Sequence, residues 1–280
     1  MSTLPGLKEG LVEQGLWAKK SFGQHFLLDP SINARIAAFA GDVKGKPVIE
    51  IGPGPGGLTR ALAEAGAAPL IAIEKDRRFI PLLEQLIEWS GQRVRIVEAD
   101  ALDADEEKLL RDTNATGPAT IVANLPYNVA TPLLVKWLKA GAWRGTMVLM
   151  FQKEVAQRIV ARADDDAYGR LAVLCQAVCA AEIVMNLPPG AFTPPPKIDS
   201  AVVRFDPLPK PFAHLDVLER LTAAAFGQRR KMLRASLKKL GLPETMFAAC
   251  EITPTARAEE ISVEKFQKLA QMMAGGVSAR

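Results

Sequence analysis

Apolar and polar positions fall into short alternating blocks. From Pro47 onward, PVIEIG is an apolar run that ends in glycine, and PLIAIEKD, VRIVEAD, ATIVANLPY and TMVLMFQ repeat the pattern. Helical periodicity fills the intervals 58–65, 77–90, 105–112 and 132–140. Strands alternating with helices predict βαβ units and a mostly parallel, doubly wound sheet. After helical stretches at 154–163 and 171–180, two further strand-like runs, EIVMNL and SAVVRF, flank the loop PPGAFTPPPKID and bring the expected strands to about seven. A basic, glycine-punctuated lead and a helix over 30–40 precede this region. The prolines of DPLPKPF predict a stiff linker, because they fix φ and remove donors. Beyond it, 215–226, 229–240 and 263–273 read as amphipathic helices. The expectation is therefore an α/β domain over 1–206 and a small all-α domain over 207–280, with the boundary near Asp206.

Composition narrows the class. The chain has 280 residues, 49% apolar and 24% charged, enough to build a core. The longest charge-free run, Thr113 to Val135, holds three prolines and three asparagines and does not suit a bilayer. The N-terminus, MSTLPGLKEGLVEQ, has no apolar signal core, so a cytoplasmic protein is expected. Cys175, Cys179 and Cys250 have neither disulfide nor zinc spacing and read as buried apolar packing. The net charge is +4, and its distribution is uneven: residues 207–280 carry 12 Lys/Arg against 7 Asp/Glu, and the stretch from Arg220 to Pro243 has seven bases and no acid. Such asymmetry suits either a solvated helix face or a polyanionic partner.

Chemistry gathers at the ends of the strand-like runs. In EIGPGPGG, Gly52 and Gly54 let the backbone turn sharply and approach a ligand. No Lys-Ser/Thr follows, which excludes a phosphate-cradling P-loop. With Glu50 two residues ahead of the first glycine, the stretch resembles motif I of S-adenosylmethionine-dependent methyltransferases. Glu74 ends the second run, 20 residues beyond Gly54, where a carboxylate can accept from ribose hydroxyls. Asp100 ends the third and can accept from the adenine exocyclic amine; a plain turn acid is the alternative there. Asn124-Leu125-Pro126-Tyr127 ends the fourth and matches the (N/D)-P-P-(Y/F/W) type of motif of enzymes that methylate exocyclic amines. The N6 lone pair of adenine is delocalised into the ring. Acceptors on the amino hydrogens, here the Asn124 side chain and the Leu125 carbonyl, would localise it, while Tyr127 stacks on the flipped-out base. A methyl sulfonium is already activated, so alignment and charge stabilisation suffice without a metal. Phe192, in the proline-rich loop, is expected to form the opposite wall of the base pocket, or else to be an ordinary buried phenylalanine.

Six motifs in order, KKSFGQHFLLD, EIGPGPGGLT, NLPYNVATPLL, FQKEVAQRIVA, AYGRLAVLCQ and PPGAFTPPPKIDSAVVRF, make the chain similar to the ribosomal RNA adenine dimethyltransferase family, and within it to the bacterial small-subunit branch. The resemblance runs from about Lys19 to Phe205, and more loosely through GQRRKMLRASL. It implies a Rossmann-like class I methyltransferase fold and S-adenosyl-L-methionine as cofactor. It implies a cofactor site at His25, Leu27, Gly52, Glu74, Asp100 and Asn124, with dimethylation of two adjacent adenosines near the 3′ end of 16S rRNA. His25 stands where the family often has asparagine. The resemblance also gives the basic cluster a partner: Arg229, Arg230, Lys231, Arg234 and Lys238 are expected to contact RNA, with 230, 234 and 238 sharing one helix face. A monomer is expected. The competing readings are a 23S rRNA enzyme of the macrolide-resistance type and a non-catalytic assembly factor.

Overall fold

The computed structural model describes residues 4, 6–18, 23–228 and 231–277. The strands are β1 (Phe26–Leu27), β2 (Val48–Ile51), β3 (Leu70–Glu74), β4 (Val94–Glu98), β5 (Ala119–Ala123), β6 (Arg144–Gln152), β7 (Cys179–Leu187), β8 (Phe192–Thr193) and β9 (Ser200–Pro207). The helices are α1 (Leu7–Glu13), α2 (Pro30–Phe39), α3 (Gly57–Glu64), α4 (Ile80–Trp89), α5 (Glu106–Arg111), α6 (Tyr127–Leu138), α7 (Lys153–Val160), α8 (Arg170–Gln176), α9 (Leu215–Phe226), α10 (Leu233–Ser236), α11 (Glu244–Ala249) and α12 (Val263–Val277).

Seven strands form one sheet in the order β4-β3-β2-β5-β6-β9-β7. β4, β3, β2, β5 and β6 run parallel, and β9 returns antiparallel to β6. β2 and β3 are buried at every position and β5 at all but one, which is why they read as mostly apolar runs rather than alternating ones. The edge strand β4 is partly exposed, matching its charged VRIVE. The parallel order reverses direction from the centre between β2 and β5, so the loops after β2 and β5 open a crevice at the carboxyl ends of the strands.

The chain forms two compact units. One comprises residues up to Lys153 with Glu182–Asp206, and the other comprises Glu154–Ala181 with the chain from Pro207 onward. The boundary expected at Asp206 is thus one of three crossings. The added stretch joins the second unit because its apolar side chains complete that unit's core. α8 packs against α9 and α12. The Tyr168 hydroxyl donates to the Ile261 carbonyl at 2.9 Å, and its ring lies edge-on to Phe226, 5.9 Å between centroids. Cys175, Cys179 and Cys250 are all buried.

Several expected elements shift. α6 starts at Tyr127, five residues before Pro132, so that proline sits inside the helix and removes one bond to the Asn128 carbonyl rather than opening the first turn. The helix expected over 171–180 stops at Gln176, and β7 has begun by Cys179. The helix expected over 229–240 is not one helix. Arg229 and Arg230 lie outside the described residues. Met232 makes an isolated bridge with Arg257 and the Leu233 N–H donates to the Ala256 carbonyl at 2.7 Å, so the chain is extended there and helix begins only at Leu233. Lys238 falls in a separate 3-10 turn. Arg234 and Lys238 therefore do not share one helix, and Arg230 lies outside the described residues.

Candidate active site

The turn after β2 is built by three glycines with positive φ: Gly52 at 66°, Gly54 at 52° and Gly56 at 85°. A Cβ on Gly52 would meet nothing within 4 Å and would project into open space, whereas one on Gly57 would come within 2.7 Å of Asn33 Nδ2. The first glycine keeps a cavity clear, and the last lets α3 pack close. Gly52, Gly54, Leu27, Glu50, Glu74 and Asn124 line one cavity at the strand ends. A second shares Gly52 and Glu74 with it and extends to Lys75, Asp100 and Leu133.

Four carboxyls border these cavities, Glu50, Glu74, Asp76 and Asp100, and three of them stand in different states. Glu74 Oε2 accepts from the Gly54 N–H at 2.9 Å and Oε1 from the Asp76 N–H at 2.7 Å, so the acid that ends β3 also fixes the glycine turn. Burial moves its pKa upward. Glu50 is 1% exposed and its Oε2 has no hydrogen-bond partner among the described residues; burial, foremost, pushes its pKa to about 8. Asp100 is ion-paired with Lys75 at 2.6 Å, which holds its pKa below the usual carboxylate value, and Oδ1 accepts from the Leu102 N–H at 3.0 Å.

The residues of Asn-Leu-Pro-Tyr form the other side. Asn124 Nδ2 donates to the His25 carbonyl at 3.1 Å, which leaves Oδ1 available as an acceptor. Tyr127 opens α6, and its hydroxyl is 2.6 Å from Ser200 Oγ. Leu125 is buried. The His25 ring stacks with Tyr127, centroids 5.9 Å apart, and its Nδ1 lies 2.8 Å from the Pro194 carbonyl. A carbonyl only accepts, so Nδ1 carries a proton in this arrangement. His25, Tyr127, Pro194, Pro195 and Pro196 then line a third cavity next to the first.

The structure thus brings His25, Leu27, Gly52, Gly54, Glu74, Asp100, Asn124, Leu125 and Tyr127 together. It does not bring Phe192 to the cavity. That ring is 4% exposed and packs in the apolar core with Leu27 and Val202, because Phe192 pairs with Leu27 in the two-residue β1–β8 ladder and points inward. Phe192 is thus a buried core residue, while prolines 194–196 line the third cavity. Lys231, Arg234 and Lys238 lie in the second unit and line none of these cavities. Sequence reasoning left Glu50 without a role of its own; its signal is an acid inside the otherwise apolar VIEI. Asn33, which donates to the Leu27 carbonyl at 3.0 Å, and Ser200 had no such signal.

These residues fit S-adenosylmethionine. A buried carboxyl with one unpartnered oxygen suits an ammonium, the acid at the end of β3 suits a ribose, and the glycine turn leaves the room. Fold and site together define a class I, S-adenosylmethionine-dependent methyltransferase. The family model for Ribosomal RNA adenine dimethylase matches residues 15–275. Ribosomal RNA small subunit methyltransferase A of Phenylobacterium zucineum (strain HLK1) is 55% identical over 274 residues, covering 96% of this chain and 93% of that protein. The crystal structure of a dimethyladenosine transferase from Plasmodium falciparum is similar with a TM-score of 0.76 at 26% identity, covering 90% of this chain and 98% of that one. That of the 23S rRNA methyltransferase ErmE is similar with a TM-score of 0.67 at 27% identity, covering 89% and 99%. The chain belongs to the ribosomal RNA adenine dimethylase family. Among the described residues no helix is long and apolar enough to cross a membrane.

Proposed function

We propose that this chain converts two adjacent adenosines near the 3′ end of 16S rRNA to N6-dimethyladenosines, acting on the small ribosomal subunit in the cytoplasm as a monomer and without a metal. The name shared by the relatives at about half identity supports the small-subunit assignment. When bound, the cofactor supplies an electrophilic methyl group on a sulfonium. The protein's own residues select, orient and shield. Glu74 holds the ribose hydroxyls, Asp100 the exocyclic amine of the cofactor's adenine, and Glu50 the ammonium end. Leu27 closes over the cavity from β1.

The observation that carries the reading is the tether of Asn124. With Nδ2 committed to the His25 carbonyl, Oδ1 is the end left to accept from the substrate amino group. Together with the Leu125 carbonyl, it favours a pyramidal nitrogen whose lone pair is localised and aimed at the methyl group. Tyr127, anchored through Ser200, presents its ring to the extruded base. His25 acts on this side, as a backbone acceptor for Asn124 and a ring against Tyr127. In the second unit Lys231, Arg234 and Lys238 contribute phosphate contacts, as do Arg229 and Arg230 outside the described residues. Nucleoside mass spectrometry after incubation with purified small subunits, and in parallel with 23S rRNA, tests the assignment. The expected result is N6-dimethyladenosine in the 16S rRNA alone; modification confined to 23S rRNA would reject it.

A further inference from the structure

Asp100 does not stand on a rigid strand. It begins a loop, 100–104, whose own bonds are two short backbone turns onto the Asp100 carbonyl and the Leu102 N–H onto Asp100 Oδ1. Lys75 holds the Asp100 carboxylate from outside, and among the described residues the loop's backbone carbonyls are tied to α6 by one ammonium. Lys136, in the last turn of α6, donates from Nζ to the Ala101 carbonyl at 2.7 Å, the Ala104 carbonyl at 2.6 Å and Glu106 Oε1 at 2.9 Å. An ammonium has three donors, and all three are used. Glu106 is buried and accepts a second bond, from the Trp137 indole at 2.9 Å. The Lys136 clamp is thus itself held in place by a buried acid. The loop and α6 face each other across one cavity, Asp100 and Ala101 on one wall and Val129 and Leu133 on the other.

We propose that Lys136 is a positioning residue for cofactor recognition: it sets the 100–104 loop at the distance from α6 at which Asp100 reads the exocyclic amine of the cofactor's adenine. This rests on the role given above to Asp100. The same helix opens with Tyr127, so one rigid element indexes both the adenine loop of the cofactor and the wall of the acceptor base. Lys75 pairs with Asp100 from the other side and sets its charge, but makes no bond to the loop backbone. The two lysines therefore have separable effects.

The test is calorimetric binding of S-adenosylhomocysteine and of its analogue with purine in place of adenine, which lacks the exocyclic amine. Wild type, Lys136→Met and Asp100→Ala are compared, each with a thermal melt. Wild type is expected to prefer the amine-bearing ligand. Lys136→Met is expected to bind it about five- to tenfold more weakly, the worth of one well-placed hydrogen bond, while its affinity for the purine analogue hardly moves. KM for the cofactor should rise in step, with kcat at saturation and KM for RNA unchanged. Equal weakening of both ligands, or no weakening, would overturn the proposal. Preference lost in Asp100→Ala but intact in Lys136→Met would overturn it while leaving the role of Asp100 standing. Preference intact in Asp100→Ala but lost in Lys136→Met would remove Asp100 as the reader, and with it the proposal, by way of the reading on which it rests. Should Lys136→Met not fold, Lys136→Gln, which keeps one donor toward Glu106, carries the comparison with the same readings.

Discussion

Glu50 is the residue at which sequence and physical cost disagree most. An acid in the middle of the most buried strand, with one oxygen unpartnered, is expensive to ionise, and its pKa rises to about 8. In the unfolded chain the same group titrates near the ordinary value of 4.5. The native state therefore holds a proton between those two values that the unfolded state releases, so stability from this group is full below about pH 4.5 and is lost as pH rises through 8. Glu50→Gln should raise the melting temperature of the ligand-free protein at pH 8–9 and make little difference near pH 5. Melts across that range check it; a constant offset at every pH would show that Glu50 is not protonated in the native state. The same substitution should weaken cofactor binding, since a neutral amide offers an ammonium less. Glu74 and Asp100 show how much of the site was legible at this scale. Both were found as acids closing apolar runs, and both stand at the cavity. Their bonding partners, Gly54 N–H and Lys75, were not legible, because proximity across strands is set by sheet order.

Among the elements, the buried strands match the sequence because short, mostly apolar runs between turn signals, VIEI, LIAIE and ATIVA, leave little choice. The two-residue β1–β8 ladder is not legible in this way, since a pairing of two residues has no period to detect. It decides the role of Phe192, whose backbone pairs with Leu27 and whose ring joins the core. Phe192→Ala should accordingly cost about 3–5 kcal/mol of stability by leaving a cavity, read as a lowered urea midpoint. A variant of native stability that has lost only substrate binding would place the ring in the base pocket after all. The stretch 229–240 was misread for the opposite reason. Its composition is helical, but tertiary bonds from Leu233 and Met232 to 256–257 hold the chain extended just where a first helical turn would form.

For the molecule as a whole, cavities and charge are unevenly distributed. The strand-end cavities lie in one unit, while the excess of positive charge lies in the chain from Pro207 onward, in the other. If Lys231, Arg234 and Lys238 neutralise phosphates, replacing all three with alanine should weaken RNA binding and reduce the slope of log affinity against log salt by about 2 to 3, with cofactor affinity unchanged. An unaltered slope would remove them from the interface. The expectation of two consecutive domains missed that 154–181 belongs with the basic unit, because the apolar face of α8 reads the same whichever core it enters. The role of Asn124 is tested by methyl transfer to small subunits by Asn124→Ala, with cofactor affinity measured on the same sample. With Asn124 at the reacting centre, transfer is expected to fall about 100-fold or more, as when a group aimed at the reacting centre is removed, while S-adenosylhomocysteine still binds. Turnover within a few-fold of wild type would contradict it.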